Sequence, residues 1–597
     1  MSSFYYLILG LLLASIPLRA RVIVEAMRFD ELIGHHSGSS YTYDEQELRE
    51  FQDTQVSDFL QRSSSFYVSQ QGAPGSSSSV FLRGQEASSL AVYIDGVLVN
   101  DPTNPSRSYD FGHLSLSQVS KIQVFQGPQT VLHGASALGG VISITTLASQ
   151  SKDQGQLSYQ LERYQSHDAS LSYSAKNAGL NWGIGVNHKN SKGFSSANTS
   201  AQGAPTPDGR EFDQLQLSLQ TQEWSWKARY QHDQYDLDGF DSQTSLPTDA
   251  PYDTGLDEQW QISSNRQKQL SPTLWSNYLF SFKNSKRRTQ QDGKISSFEG
   301  NSWQLKLNHQ WQQSSKLSAV FGIQGFLEKA VRPLDNSRRS GGLYWLQHYE
   351  NGSFLASMGA RVESHQSSKE DQALSFSLAK KITAQQTLKY NYSTAYRTPS
   401  LSELFDPLYG NVGLEPENSQ HHELSWLYNP SPTGLKLQTS LFTTRTHSRI
   451  SFDNQSLKSV NKGSSAIYGL EVRAGGHILR PDTQVQIEGT VLKAYDLESG
   501  NDLLRRPRQK WGLSLSQKLI EQLSMNANLL WVSKRKEFNS LTLPSYTQLD
   551  LLLKYRKQNE DQEFWAGVKN LLDEPNSGAA GYTSPGVVWS LGLSKNF

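Results

Sequence analysis

The sequence predicts an all-β transmembrane barrel preceded by a small α+β domain. Three observations carry that prediction. From about residue 155 to the end, short segments alternate apolar or aromatic residues with polar or small ones. The chain is polar on average, with a mean hydropathy of −0.57, yet it holds 26 tyrosines, 24 phenylalanines and 13 tryptophans. A strand that meets lipid on one face needs apolar groups only at alternate positions, so a barrel shows no long apolar run. Finally, residues 119–146 place two alternating strands around a glycine-punctuated turn, the pattern of a separate compact element. A soluble sandwich array or a propeller would share the period of two, but neither accounts for so many aromatics on one parity.

Composition narrows the function classes. Formal net charge is zero, which gives nucleic acid no electrostatic footprint. Cysteine is absent, excluding disulfides, thiol catalysis and cysteine metal sites. There is no Gly-x-Ser-x-Gly elbow, phosphate loop or zinc spacing, so no enzyme is expected.

In chain order, residues 4–14 are apolar but too short to span a bilayer comfortably, and Pro17 and Ala20 follow. They read as a secretory signal over residues 1–20, cleaved after Ala20. No Lys or Arg precedes the apolar run, a departure from the usual pattern; the alternative is an uncleaved anchor. Residues 21–28 hold the β-prone alternation Val22, Ile23, Val24, Glu25 and Ala26, which taken alone is equally an ordinary first strand. Residues 29–150 form the small domain. Val56, Phe59 and Leu60 fall at helical spacing after Thr54 as N-cap. Residues 69–79 form a polar, turn-rich loop. Short strands follow at 80–84 and 90–96, broken by Gly84 and Gly96. In 119–146, Ile122 and Val124 alternate with glutamines, Gly127-Pro128 makes a turn, and Gly134, Gly139 and Gly140 permit close backbone approach before Val141, Ile142 and Ile144 resume a strand. These features alone also fit a generic four-strand α+β domain.

A polar linker spans 148–155, and residues 151–597 carry the barrel. Residues 169–175, 180–188 and 303–311 alternate clearly; Trp303 and Trp311 take the outward parity near strand ends, as an interfacial aromatic girdle requires. The last segment places Val587, Trp589, Leu591, Leu593 and Phe597 on one parity and stops at an aromatic.

Leu82-Arg83-Gly84, Ile94-Asp95-Gly96 with Asn100 beyond it, and the run from Gly127-Pro128 to Gly139-Gly140 occur in one order. Together they resemble the plug domain of TonB-dependent outer-membrane receptors. Residues 392–405, 409–419, 461–471, 503–508 and 567–573, and the terminal Phe597, are similar to later phrases of that family. Size and local phrases are most similar to its cobalamin-receptor subgroup. The resemblance implies a barrel of about 22 antiparallel strands around an internal plug, which about 450 residues at roughly 20 per strand and loop allow. It implies residence in the outer membrane of a Gram-negative bacterium, against its lipid. Residues 21–28 would then be the Ton box, an extended segment that adds as a strand to a TonB-type energy-transducing complex of the inner membrane.

The cargo implied is a scarce large nutrient, a corrinoid such as cobalamin. A ferric siderophore is the alternative and calls for more cationic apical side chains; a passive porin or adhesin barrel would lack both plug and coupling segment. The resemblance places Gln70, Gln71, Ser76, Ser77, Gln85, Ser88, Asn100 and Tyr109 on the floor of the ligand site, although each is singly also readable as solvated loop. It pairs the plug's Arg83 with the barrel carboxylates Glu417 and Glu423 as a latch, while the usual second arginine is replaced by Gln126. No cofactor is required. Asp208, Asp213, Asp236, Asp238 and Asp241 are closely spaced hard oxygen donors suited to calcium, and the subgroup resemblance implies structural calcium there. Arg210 opposes a dense cage, and a merely solvated acidic loop remains the alternative. The pairs His35-His36 and His421-His422 are not expected to bind metal, because strand neighbours point to opposite faces.

Overall fold

The computed structural model describes residues 39–597 apart from 148–152, 178, 198–204, 242, 245, 251, 367, 431–433, 478–481 and 558–560. The expected signal, the coupling segment and His35-His36 lie outside the described residues. Twenty-two antiparallel strands close into a barrel. The last strand, Val588–Asn596, pairs with the first, Gln154–Glu162, in the register Leu591 to Leu161 and Lys595 to Leu157. At the seam, Phe597 exchanges two backbone hydrogen bonds with Gly155, of 2.6 and 2.9 Å. Its ring fills the space a side chain at Gly155 would need and stacks on Tyr173.

Period two is the organising rule. Along Leu180–Ser191, Trp182 and Val186 are exposed while Asn187, Lys189 and Ser191 turn inward and are buried. Leu215, Leu217 and Leu219 continue the outward apolar band on the next strand. Tyr230 and Trp260, cross-strand partners, pack with ring centroids 4.3 Å apart on that outer face. One end of the barrel has tight turns and carries the C-terminus; the other carries the long connections, such as residues 398–416 and 448–464, which identifies it as the extracellular end.

Trp303 corrects one expectation. It lies in the middle of the 19-residue strand Lys294–Gln312, and only Trp311 is at an end. The strand runs well past the lipid band, since a membrane crossing takes only about 9–11 residues. Eight residues separate the two indoles by about 26 Å along the strand, or roughly 20 Å along the normal at ordinary tilt. That span is shorter than the apolar band of about 25 Å, so Trp303 does not stand at the opposite interface from Trp311.

Inside, the plug is built on a five-stranded sheet in the order Ser40–Tyr43, Val119–Gln126, Gly140–Thr146, Leu90–Ile94, Val97–Leu98. Only the Leu90–Ile94 and Gly140–Thr146 pair is parallel. One cluster, including Val92, Ile94, Ile122, Val124, Ile142 and Ile144, joins this sheet to Val56 and Leu60 of the helix Val56–Arg62. That helix starts after Gln55, without a side-chain cap. Thr54, expected as its cap, instead accepts a 2.7 Å bond from Lys189 of the wall, so packing rather than capping fixes the helix. The strand expected at 80–84 forms through Val80 to Leu82, but in a separate ribbon, Phe66–Gln70 paired with Ser78–Leu82, and Arg83 and Gly84 follow it in a turn. The edge strand Ser40–Tyr43, too short to signal itself, completes the sheet.

Candidate functional site

The ribbon's turn and the loops beside it form the plug apex. Gln70 and Gln71 are half-buried and Ser77 is exposed; the Gln71 amide closes the turn by donating to the Ser77 carbonyl at 2.9 Å. The other expected ligand residues are buried. Asn100 is fully used: its amide nitrogen donates to the Leu90 and Arg107 carbonyls, and its oxygen accepts from the Val92 amide at 3.0 Å. Tyr109 packs in the plug core, edge-on to Phe111. Gln85 lies beneath Gly139, Ser88 is covered, and Ser76 is enclosed beside Gly72. In a polar loop the residue type reports hydrogen-bonding capacity, and here the backbone consumes most of it.

A plug carboxylate absent from the expected set does reach the surface. Glu86 accepts from Arg449 at 2.7 Å and lies 3.2 Å from Arg506, two arginines of the extracellular loops. Arg506 also covers the ring of Phe81, 4.2 Å from its centroid. Cationic groups thus line the apex from the wall, where reading the plug loops alone does not find them.

Below the apex, Arg83 sits in the left-handed region at φ +50°, and Gly84 follows at +78°. This turn aims the guanidinium at the wall, where it is buried. Its NH1 lies 3.2 Å from Glu423 and its Nε donates to Glu471 at 2.8 Å. Phe442 lies beneath it, 4.5 Å away. Gln126 donates to the same Glu471 at 3.2 Å, so a neutral donor stands where a second arginine was expected. Glu417 is not part of this group: it binds Arg397, at 2.9 Å, together with Glu403. Glu417 and Glu423 share the inward parity, but six residues along a strand move a side chain about 20 Å, out of reach of one arginine. Glu471 closes the 461–471 phrase, but its meeting with Arg83 depends on the height of a strand remote from both Arg83 and Glu423. His421 is buried, with Nδ1 2.9 Å from the Thr444 hydroxyl, and His422 is on the outer face beside Tyr390 and Tyr392, so the pair does divide between faces.

Other plug–wall contacts are also charged. His113 of the plug meets Asp233 at 2.7 Å, and Arg210 binds the same carboxylate through two bonds of 2.6 and 2.8 Å. Burial alone would lower the His113 pKa, but Asp233 outweighs it and raises it to about 9. Arg107 reaches Glu328, which also holds Arg338 at 2.6 Å.

The aspartates divide. Asp208 and Asp238 converge on Ser196, whose amide donates to Asp208 at 2.8 Å, and Asp236 accepts from the Gly209 amide nearby. Burial, then the neighbouring Asp238, pushes the Asp208 pKa up to about 7. Asp238 Oδ1 is buried without a well-formed hydrogen bond. Two buried carboxylates with an unused oxygen fit a hard divalent cation. Asp213 and Asp241 do not join them. Asp213 faces outward, 2.8 Å from His188 and near Glu211, and Asp241 closes its own turn by accepting from Gln243 and Thr244. Alternation separates Asp213 from the loop, and the turn after Gly239 carries Asp241 away.

Comparison with known proteins agrees with this architecture. A TonB dependent receptor-like β-barrel model matches residues 100–571, and a TonB-dependent receptor plug domain model matches residues 35–141. The vitamin B12 transporter BtuB of Vibrio cholerae is 24% identical, the match covering 96% of this chain and 95% of BtuB. Among solved structures, the siderophore receptor PirA of Acinetobacter baumannii superposes with a TM-score of 0.80 at 14% identity, over 94% of this chain and 99% of that one. The ferric enterobactin receptor PfeA of Pseudomonas aeruginosa gives 0.79 at 16% identity, over 94% and 99%. With a plug held inside a 22-strand barrel and family models matched across both parts, this chain belongs to the TonB-dependent receptors, transport receptors of the Gram-negative outer membrane.

Proposed function

We propose that this receptor takes up a corrinoid of the cobalamin type across the outer membrane, driven by a TonB-type complex of the inner membrane. The observation that carries the energy requirement is the plug itself, which fills the barrel and is held to the wall by buried ion pairs at Arg83, Arg107 and Arg62. A cargo enters only if work parts those contacts, and the outer membrane has no nucleotide or ion gradient to supply it. Residues Val22 to Ala26 are the segment the partner would capture, by strand addition. The end-to-end similarity to a vitamin B12 transporter and the uncharged apex residues Gln70, Gln71 and Ser77 support a large neutral polar cargo. Asp208, Asp236 and Asp238 are the residues that would hold calcium, ordering the loops above the apex.

A ferric siderophore is the second reading, favoured by Arg449 and Arg506 beside Glu86, since an anionic chelate would suit those guanidiniums. Titration of the detergent-solubilised receptor by tryptophan fluorescence separates the readings. The corrinoid reading expects saturable cyanocobalamin binding, strengthened by calcium; response to a ferric catecholate alone would reject it and leave the transport class standing.

A further inference from the structure

The arginines of the extracellular connections are the feature that most favours an anionic cargo, yet most of them are answered by a carboxylate of the same rim. Arg397 holds Glu403 and Glu417 at 3.1 and 2.9 Å. Arg505 holds Glu537 at 2.8 Å, and Arg508 holds Asp502 at 2.9 Å. Arg535 is buried and gives its donors to neutral acceptors, the Tyr67 hydroxyl and the Pro544 and Ser577 carbonyls. Arg449 and Arg506 differ in where their carboxylate comes from. It comes from the plug: Glu86 Oε1 lies 2.7 Å from NH2 of Arg449 and 3.2 Å from NH2 of Arg506. Asp496 adds only a longer contact to Arg449, at 3.9 Å.

Local backbone structure presents this carboxylate. The chain reverses at Arg83 and Gly84, the Gln85 amide closes the turn on the Leu82 carbonyl at 2.9 Å, and Glu86 then leads into the short turn Ala87–Ser89. Its side chain is 45% exposed, whereas those of Arg449 and Arg506 are 19% and 8% exposed. Arg506 is held by the plug at two further points, donating through Nε to the Gly84 carbonyl at 3.1 Å and covering the ring of Phe81 at 4.2 Å. The carboxylate is therefore the most open member of the trio. A ligand that reaches the apex meets its negative charge first and gains the guanidiniums only by displacing it. Charge decides which ligands can do so. A polyanion is repelled by Glu86 and would bind the arginines only by replacing a charge-assisted pair already made, whereas a neutral polar surface meets no such repulsion.

Resting on the uptake function proposed above, we infer that Glu86 is the residue that sets the charge of the cargo. It is a tethered counter-ion seated on Arg449 and Arg506, so the apex receives a large neutral ligand and turns away a polyanionic ferric chelate. With that one charge removed, the same two arginines become an anion site.

The test uses the full-length receptor in detergent, with each variant checked on unboiled gels for the folded barrel. Calorimetry with pyrophosphate reads the arginine pair without reference to any cargo. Glu86→Gln should bind it about tenfold or more tightly than wild type, with the gain shrinking as salt is raised. Glu86→Asp keeps the charge and should behave as wild type, and adding Arg449→Gln to Glu86→Gln should cancel the gain. In parallel, tryptophan-fluorescence titrations with cyanocobalamin and a ferric catecholate should show the ratio of catecholate to corrinoid affinity rising about tenfold or more in Glu86→Gln. Unchanged pyrophosphate affinity in Glu86→Gln overturns the inference. So does an equal gain in Glu86→Asp, which would make loop shape rather than charge the cause, and so does a pyrophosphate gain with an unmoved ratio. If no form binds either large compound, the corrinoid reading fails by itself, and pyrophosphate alone judges Glu86.

Discussion

Replacing Arg83 with alanine should loosen the plug without harming the barrel. Arg83 is buried, with Glu423 at 3.2 Å, Glu471 at 2.8 Å and the Phe442 ring at 4.5 Å. Its loss leaves two buried carboxylates without their cation, and breaking such a group costs about 3–5 kcal/mol. The ring contact adds ~1–2 kcal/mol when desolvated. Opening of the plug should then become roughly a thousand- to a hundred-thousand-fold more frequent, at 1.4 kcal/mol per factor of ten. Amide hydrogen exchange in Ser78–Leu82 and Val119–Gln126 reads this directly, with the barrel strands as internal reference. Adding Glu471→Gln to the variant should restore part of the protection, because one stranded charge is removed. Glu417→Gln should change nothing in the plug, since that carboxylate binds Arg397. A shift below about 1 kcal/mol in Arg83→Ala would place this site among pairs whose desolvation cancels their attraction and would refute the reasoning.

Three further outcomes are expected. His113 has a pKa raised to about 9 from 6.5, so its contact with Asp233 contributes fully below about pH 6.5 and is lost as pH rises through 9; plug stability measured by urea unfolding should fall across that window in wild type and stay flat in His113→Asn. Asp208, with its pKa near 7 through burial and Asp238, must release a proton to bind a cation; calcium affinity by calorimetry should rise from pH 6 to 8, and Asp238→Asn should abolish binding. Removing Phe597 deletes two backbone bonds and the ring that fills the space at Gly155; the fraction of receptor running as folded, heat-modifiable barrel on unboiled gels should drop, and Gly155→Val should act the same way.

Where the chain obeys a strict local rule, the sequence was sufficient. Alternation in 180–188 gave the two faces of that strand, since one-sided contact with lipid leaves no other pattern. The glycines of 119–146 marked real turns between neighbouring strands. The site was less legible because it depends on height and reach across the barrel. Arg83 and Glu423 do meet, yet Glu417 shares their parity and ends about 20 Å away, while Glu471 arrives from a strand 48 positions further on. Asn100 and Tyr109 look like ligand residues in a polar loop, but the fold spends one on backbone carbonyls and the other on core packing. The apical arginines come from loops remote in sequence, so no window of the chain brings Glu86, Arg449 and Arg506 together.

The central claim is that cargo crosses by work delivered through the N-terminal segment. The most direct test is uptake of radiolabelled cyanocobalamin by cells expressing either the intact receptor or one lacking residues 22–26, with binding to the same cells measured in parallel. Full binding with no uptake in the deletion is the predicted result. Uptake that continues at the intact rate would contradict energy coupling through that segment.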